Sequence, residues 1–183
     1  MLKDLILKNR SCRRFYQDST IELGTLRELV DLARLSATGG NRQALKYILS
    51  NDPQRNAMIF KNVRMAGTPG EEDAPAAYII ILGDKTIAER FGCDHGIAAQ
   101  SILLGAAEKG LGGCMLGSAN KENLCKALEI SANYEILLVL ILGKSKEEPV
   151  IETKFKDGTN ASWLDEEGIR HVPKRSLDDI IVG

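Results

Sequence analysis

The sequence predicts a layered domain of mixed α/β class. Segments with helical spacing alternate along the chain with segments that read as strands. Two uninterrupted apolar runs, residues 78–82 and 136–142, have the composition of buried strands. The length of 183 residues suits one domain with a sizeable core, and residues 1–183 are taken as that domain.

The elements follow in order. Residues 2–8 read as a short helix with Leu2, Leu5 and Ile6 on one face. An irregular basic segment comes next. Residues 23–36 form an amphipathic helix, in which Leu26, Leu29, Val30 and Ala33 recur at helical spacing and Thr20 or Thr25 serves as cap. Two glycines in residues 36–43 break it, and residues 46–49 read as a strand. Between 52 and 74, Pro53, Gly67, Pro69, Gly70 and the acidic run Glu71-Glu72-Asp73 mark turns and a mobile loop. After the 78–82 strand, residues 97–109 form a helix carrying Ala98, Ala99, Gly105, Ala106 and Ala107. Side chains this small let another helix approach closely, at the core or at an interface. Gly110 ends that helix, because glycine adopts positive φ without strain. Residues 111–117 read as a glycine-rich turn, and 120–128 as a helix capped by Ser118 or Asn120. Residues 136–143 are the strongest strand, central by composition. Beyond Lys144 charged and small residues dominate until residues 171–182, which add a strand or pack on another subunit.

Composition excludes several classes. Hydrophobic residues make up 44% and charged residues 27%, and 24 basic against 25 acidic side chains give a net charge of -1. That balance exerts no overall pull towards nucleic acid or an anionic membrane. Residues 1–10 lack the apolar stretch of a secretory signal, and no apolar run approaches the roughly 18–20 residues that span a bilayer, so a cytoplasmic protein is expected. Cys12, Cys93, Cys114 and Cys125 form no C-x-x-C pair and are read as free thiols. With only His95 and His171 as imidazoles, no histidine-rich metal site is expected.

A local basic cluster therefore needs a local cause. Arg10, Arg13 and Arg14 surround Ser11 near the start of the chain. Guanidinium groups bind phosphate through paired hydrogen bonds and a serine hydroxyl adds a donor, a set that suits a mononucleotide phosphate. The same pattern also describes a solvated turn with ion pairs. "GLGGCMLG", residues 110–117, fails the G-x-G-x-x-G test at Met115 and is followed by no G-K-S/T. Its glycines either let backbone N–H groups approach a planar ring or simply end a helix. Lys174 and Arg175 form a second basic point, and Thr38-Gly39-Gly40-Asn41 is either a ligand-closing loop or a helix stop. Cys93-Asp94-His95 lacks the partners of a catalytic thiol or metal site and is read as structural.

Taken together, four stretches resemble the nitroreductase family of flavin enzymes. "LKNRSCRRF" resembles its N-terminal basic signature, and "ARLSATGGNRQALKYIL" its A-x-x-A-P-S-x-x-N-x-Q region. "DHGIAAQSILLGAAEKGLGGCMLG" resembles its long helix and glycine turn, and "HVPKRSLDDIIV" its closing basic segment. The resemblance implies an α+β fold of three layers, a mainly antiparallel central sheet flanked by helices, in a homodimer binding FMN at the subunit interface. It implies that Arg10, Ser11 and Arg13 contact the phosphate, ribityl chain or ring oxygen, and that Lys174 and Arg175 close on the phosphate. Met115, Leu116 and Gly117 would lie along the ring, and Thr38, Gly39 and Asn41 would come from the opposite subunit. The chain departs from the pattern at Asn9, where many members have arginine, at Ala37-Thr38 for Pro-Ser, at Ala44 for proline and at Leu116 for an acidic residue. The asparagine that often precedes the "APAAYIIIL" strand is not matched near Gly67.

The activity so implied is a ping-pong transfer of reducing equivalents from NAD(P)H, as co-substrate, to a small electron-poor acceptor of nitroaromatic or quinone type. The flavin carries the chemistry, so no catalytic side chain and no metal are expected. A flavin-storage protein, another flavin reaction such as reductive dehalogenation or enone reduction, and a protein-interaction module stand as alternatives.

Overall fold

The computed structural model of the chain describes residues 1–65, 67, 69–153, 155 and 158–183. The elements are α1 (Leu2–Lys8), α2 (Leu23–Leu35), β1 (Leu45–Ser50), α3 (Pro53–Phe60), β2 (Ala77–Asp84), α4 (Asp94–Glu108), β3 (Gly112–Leu116), α5 (Lys121–Ala127), β4 (Tyr134–Gly143), β5 (Val150–Glu152), β6 (Trp163–Leu164) and β7 (Arg170–Pro173). They divide into two compact units, Met1–Lys146 and Glu147–Gly183.

In the first unit β1, β2, β4 and β3 form, in that order, one antiparallel sheet. Both central strands are apolar on both faces, and both faces are covered. On one face Ile79 and Ile81 of β2 and Leu140 and Leu142 of β4 pack with Leu26 and Leu29 of α2 and Ile102 and Leu103 of α4. On the other, Tyr78, Ile80, Val139 and Ile141 pack with Phe15, Ile59 of α3 and Leu124 of α5. Each such isoleucine or leucine, hidden from water, contributes about 1.5–3 kcal/mol of apolar burial. The result is the expected α+β arrangement of three layers.

The small residues of α4 serve the core. A Cβ on Gly105 would stand 2.3 Å from a Leu32 methyl carbon and 3.1 Å from one of Leu29, so glycine is what lets α2 lie this close. Gly110, at φ 74°, follows the helix end as expected.

Three local readings are corrected. Residues 112–116 are strand β3, not a turn; an apolar pair, Met115 and Leu116, was too short a signal beside the glycines. Within 52–74 stands helix α3, with the Asp52 carboxylate accepting from the Arg55 amide at 2.8 Å and Pro53 in its first turn. Ala66 and Thr68 of the expected loop lie outside the described residues. Helix α2 starts from Glu22, with no side-chain cap, so neither Thr20 nor Thr25 plays that part. Asn120 does cap α5, accepting from the Asn123 amide at 3.1 Å.

The second unit holds β5, β7 and β6 in that order, β5 parallel and β6 antiparallel to β7. Residues 171–173 of the closing basic segment thus enter a strand, one of the two outcomes expected. No helix among the described residues is long and apolar enough to cross a membrane.

Candidate functional site

The basic N-terminal segment lies against the edge of the main sheet. Ser11 forms a parallel bridge to Gly113 of β3, and the Cys12 amide donates to the Gly113 carbonyl at 2.9 Å. Further on, Phe15 bridges Ser145, the Tyr16 amide donates to the Lys144 carbonyl, and the Lys146 amide donates to the Arg14 carbonyl, the last two at 2.9 Å. Cys12 and Phe15, three positions apart, both turn inward into one apolar cluster; Cys12 is 2% exposed and Phe15 fully buried. The Cys12 Sγ lies 2.8 Å from the Ser145 Oγ.

Glycines make this approach possible. A Cβ on Gly143 would meet the Phe15 ring at 2.6 Å, and one on Gly112 would meet the Ser145 Cβ at 2.9 Å and the Cys12 Cβ at 3.2 Å. Gly117 differs: a Cβ there would meet nothing within 4 Å. Packing within the chain explains Gly112, Gly113 and Gly143 but leaves Gly117 facing open space.

The arginines fall into two groups. Arg14 points to Asp73, Nε to carboxylate 3.6 Å, and Lys146 joins it with Nζ 2.9 Å from the same carboxylate and 2.9 Å from the Glu72 carbonyl. Sequence reasoning did not connect these two groups with Arg14; the acidic run preceding β2 was their signal. Arg10 donates from Nη2 to the Ile6 carbonyl at 2.7 Å, while its Nε is buried with no hydrogen-bond partner among the described residues. Arg13 is half-buried and Ser11 exposed. Ser11 and the Gly113 stretch, two parts expected of one site, are therefore neighbours.

Met115 and Leu116 occupy the far end of β3. Leu116 is buried on the Phe15 face, and Met115 packs on the opposite one. Each strand residue sends its N–H and C=O to one edge, alternating along the strand. Since the Gly113 carbonyl meets Cys12, the Met115 peptide groups aim to that same outer edge, beyond the Ser11 bridge.

The 38–41 turn is held on the first turn of α4. The Gly39 amide donates to Asp94 Oδ1 at 2.9 Å, and Asp94 is 8% exposed. Gly40 at φ 59° and Asn41 at φ 53° make the turn, the left-handed region that glycine and asparagine enter most readily. Thr38 Oγ1 is buried without a partner among the described residues. Nearby Tyr47 has its hydroxyl pKa raised, by burial first and by the Asp94 charge second. Cys93 is exposed at the start of α4, and no group of three or more metal-binding side chains occurs among the described residues.

Lys174 and Arg175 belong to the second unit, exposed just past β7. The Lys174 amide donates to the Glu152 carbonyl at 2.8 Å, and the Arg175 guanidinium lies 5.3 Å from the centre of the Phe155 ring.

FMN binding implies donors that the chain itself leaves unused. Arg10 Nε and Thr38 Oγ1 are such groups, buried polar atoms without partners at two of the implied contact positions. The donor set is cationic at Arg10 and Arg13, as a phosphate requires.

Residues 69–144 match the sequence model of the Nitroreductase family. A protein from Archaeoglobus fulgidus named as an NADH dehydrogenase/NAD(P)H nitroreductase is 27% identical over 152 residues, 78% of this chain and 85% of its own. The solved structure of an FMN-dependent nitroreductase from Clostridium difficile is 25% identical, covers 82% of this chain and 90% of its own, and superposes with a TM-score of 0.66. A nitroreductase family protein from Streptococcus pneumoniae, 14% identical, shares the fold over 100% of both chains with a TM-score of 0.75. The chain thus shares its fold with solved nitroreductase family structures, and residues 69–144 carry that family's sequence pattern.

Proposed function

We propose that the chain binds FMN and acts in the cytoplasm as an NAD(P)H-dependent oxidoreductase on small electron-poor acceptors, nitroaromatic or quinone in type. One observation carries this reading: Arg10 Nε and Thr38 Oγ1 are buried and unpaired among the described residues, at positions where the family resemblance implies cofactor contacts. An unpaired buried donor costs about 1–3 kcal/mol, so a ligand that pairs it is favoured.

In this reading residues 1–183 act as one FMN-binding domain in a homodimer. Arg10, Ser11 and Arg13 serve as contacts to the phosphate and the polar chain, and the family resemblance implies phosphate contacts at Lys174 and Arg175 as well. Bound there, FMN would supply the redox chemistry between NAD(P)H and the acceptor. The Met115 N–H, the Leu116 backbone and the open space at Gly117 accommodate the ring edge. Thr38, Gly39 and Asn41 close the site from the second copy, their turn set by the Gly39–Asp94 hydrogen bond. Phe15 and Cys12 exclude water beneath the basic segment.

Steady-state oxidation of NADH or NADPH by the purified protein, with and without a nitroaromatic or quinone acceptor, tests the reading. Acceptor-dependent turnover is expected. FMN binding without turnover would favour flavin storage instead.

A further inference from the structure

The second unit encloses a histidine between two acids. His171 lies on β7, its Nδ1 2.7 Å from a carboxylate oxygen of Glu152 on β5 and its Nε2 3.0 Å from one of Asp165, in the turn joining β6 to β7. Trp163 of β6 stacks on the ring, centroids 5.1 Å apart and planes within 5°. Two carboxylates ask for two donors, which only the imidazolium supplies; a neutral ring turns a lone pair towards one of them.

Among the described residues, the other charged groups around the ring do not replace it. Arg170, the neighbour on β7, is held by Glu147 at 3.1 Å. Val150, which pairs with His171 across β5, is apolar. The turn carries Glu166 and Glu167 besides Asp165, so it adds negative charge only. Among the described residues of this unit only Pro173 is buried, so apolar packing does little to order it.

Glu152 makes a second link. Its carboxylate meets His171, and its backbone carbonyl accepts from the Lys174 amide at 2.8 Å. The residue that clamps the imidazole therefore also fixes the chain at the first of the two terminal cations.

We propose that protonated His171 is a positioning residue: by joining β5 and the β6–β7 turn around β7, it fixes Lys174, and Arg175 after it, for the phosphate of FMN. This rests on the reading of Lys174 and Arg175 as phosphate contacts. The direction of titration agrees. The hydrogen bond to Asp165 and then that to Glu152 raise the His171 pKa above its ordinary value near 6.5, and His171 in turn lowers that of Asp165. A raised native pKa means that the clamp is complete below about pH 6.5 and is lost as pH rises through the native value. FMN phosphate runs the other way, since it gains charge around pH 6 and is a dianion above that. Weakening of FMN binding on the alkaline side therefore has no source in the phosphate.

The test uses the whole chain, in the parent and in the His171→Gln and Asp165→Asn variants, with two readouts. The FMN dissociation constant is measured by flavin fluorescence from pH 6 to 9, and the Lys174 amide is followed by NMR over the same range without FMN. In the parent we expect affinity to fall at least about fivefold towards pH 9, the low end of ordinary site-to-site coupling. The Lys174 amide should shift with the same midpoint. His171→Gln should bind weakly with no such pH step, and Asp165→Asn, which keeps the ring, should move the midpoint to lower pH. A parent profile flat over this range, a Lys174 amide indifferent to His171 or a parent-like pH step in His171→Gln would overturn the proposal. If FMN fails to bind at any pH while the Lys174 amide still titrates with His171, the clamp stands and the phosphate reading falls.

Discussion

The amide of Cys12 donates to the carbonyl of Gly113 over 2.9 Å, which lays the arginine-rich segment along the edge of β3 like an added strand. The main sheet is thereby extended by residues that carry charge on one side and Phe15 on the other. A site built this way depends on how closely the added segment can approach.

That dependence makes Gly113 a sensitive position. A Cβ there would stand 2.7 Å from the Ile141 carbonyl oxygen, a backbone atom that cannot rotate away, and 2.7 Å from a Leu103 methyl carbon. We expect Gly113→Ala to lower stability by roughly 1–3 kcal/mol, the range for overpacking a filled core. Thermal or urea unfolding measures it; a variant as stable as the parent would mean that the edge is not this tight.

Phe15 anchors the same segment from below. It is fully buried among Ile59, Tyr78 and Ile141 in the layer beneath the sheet. Phe15→Ala should cost about 3–5 kcal/mol in unfolding free energy. Where the variant still folds, FMN retention should fall with it, since the arginines lose their footing.

Charge at Arg10 and Arg13 should matter for the cofactor more than for the fold. The Arg10 guanidinium donates to the Ile6 carbonyl of α1, and its Nε makes no hydrogen bond among the described residues. The double change Arg10→Ala, Arg13→Ala is expected to abolish flavin retention through purification while the unfolding midpoint moves little. A variant as yellow as the parent would remove these two residues from the phosphate site.

Asp84 gives a pH prediction within the main sheet. Thr86 donates to its carboxylate from Oγ1 at 2.6 Å and from the backbone at 3.0 Å, and the side-chain bond is the leading cause of a lowered Asp84 pKa. A lowered native pKa contributes stability above the ordinary carboxylate value near 3.9, lost as pH falls through the native value. Thr86→Val should raise the Asp84 pKa and move that loss to higher pH. Titration of the Asp84 carboxyl carbon by NMR reads this directly.

The parts legible in the sequence were those with long apolar patterns. The strand around residues 78–82 and the one around 136–143 stood out because burial on both faces leaves no polar residue to interrupt them, and α2 and α4 showed because helical spacing persists over 13 and 15 residues. Strand β3 was hidden because its pattern is glycine placed for close approach, which on the page looks like a turn. Helix α3 has Ile59 as its buried residue, so its real signature was the Asp52-Pro53 start. Of the site, Arg10, Ser11 and Arg13 were readable as a charge cluster, and their place beside β3 was implied only by family resemblance. The meeting of Arg14, Lys146 and Asp73 joins residues more than seventy positions apart in places, and no local pattern could announce it.

Whether this chain holds FMN is settled most directly by the visible spectrum of the purified protein, followed by release of the pigment on denaturation. We expect flavin absorption near about 450 nm and FMN in the released fraction. A colourless protein that takes up no FMN when the cofactor is added in excess would contradict the assignment.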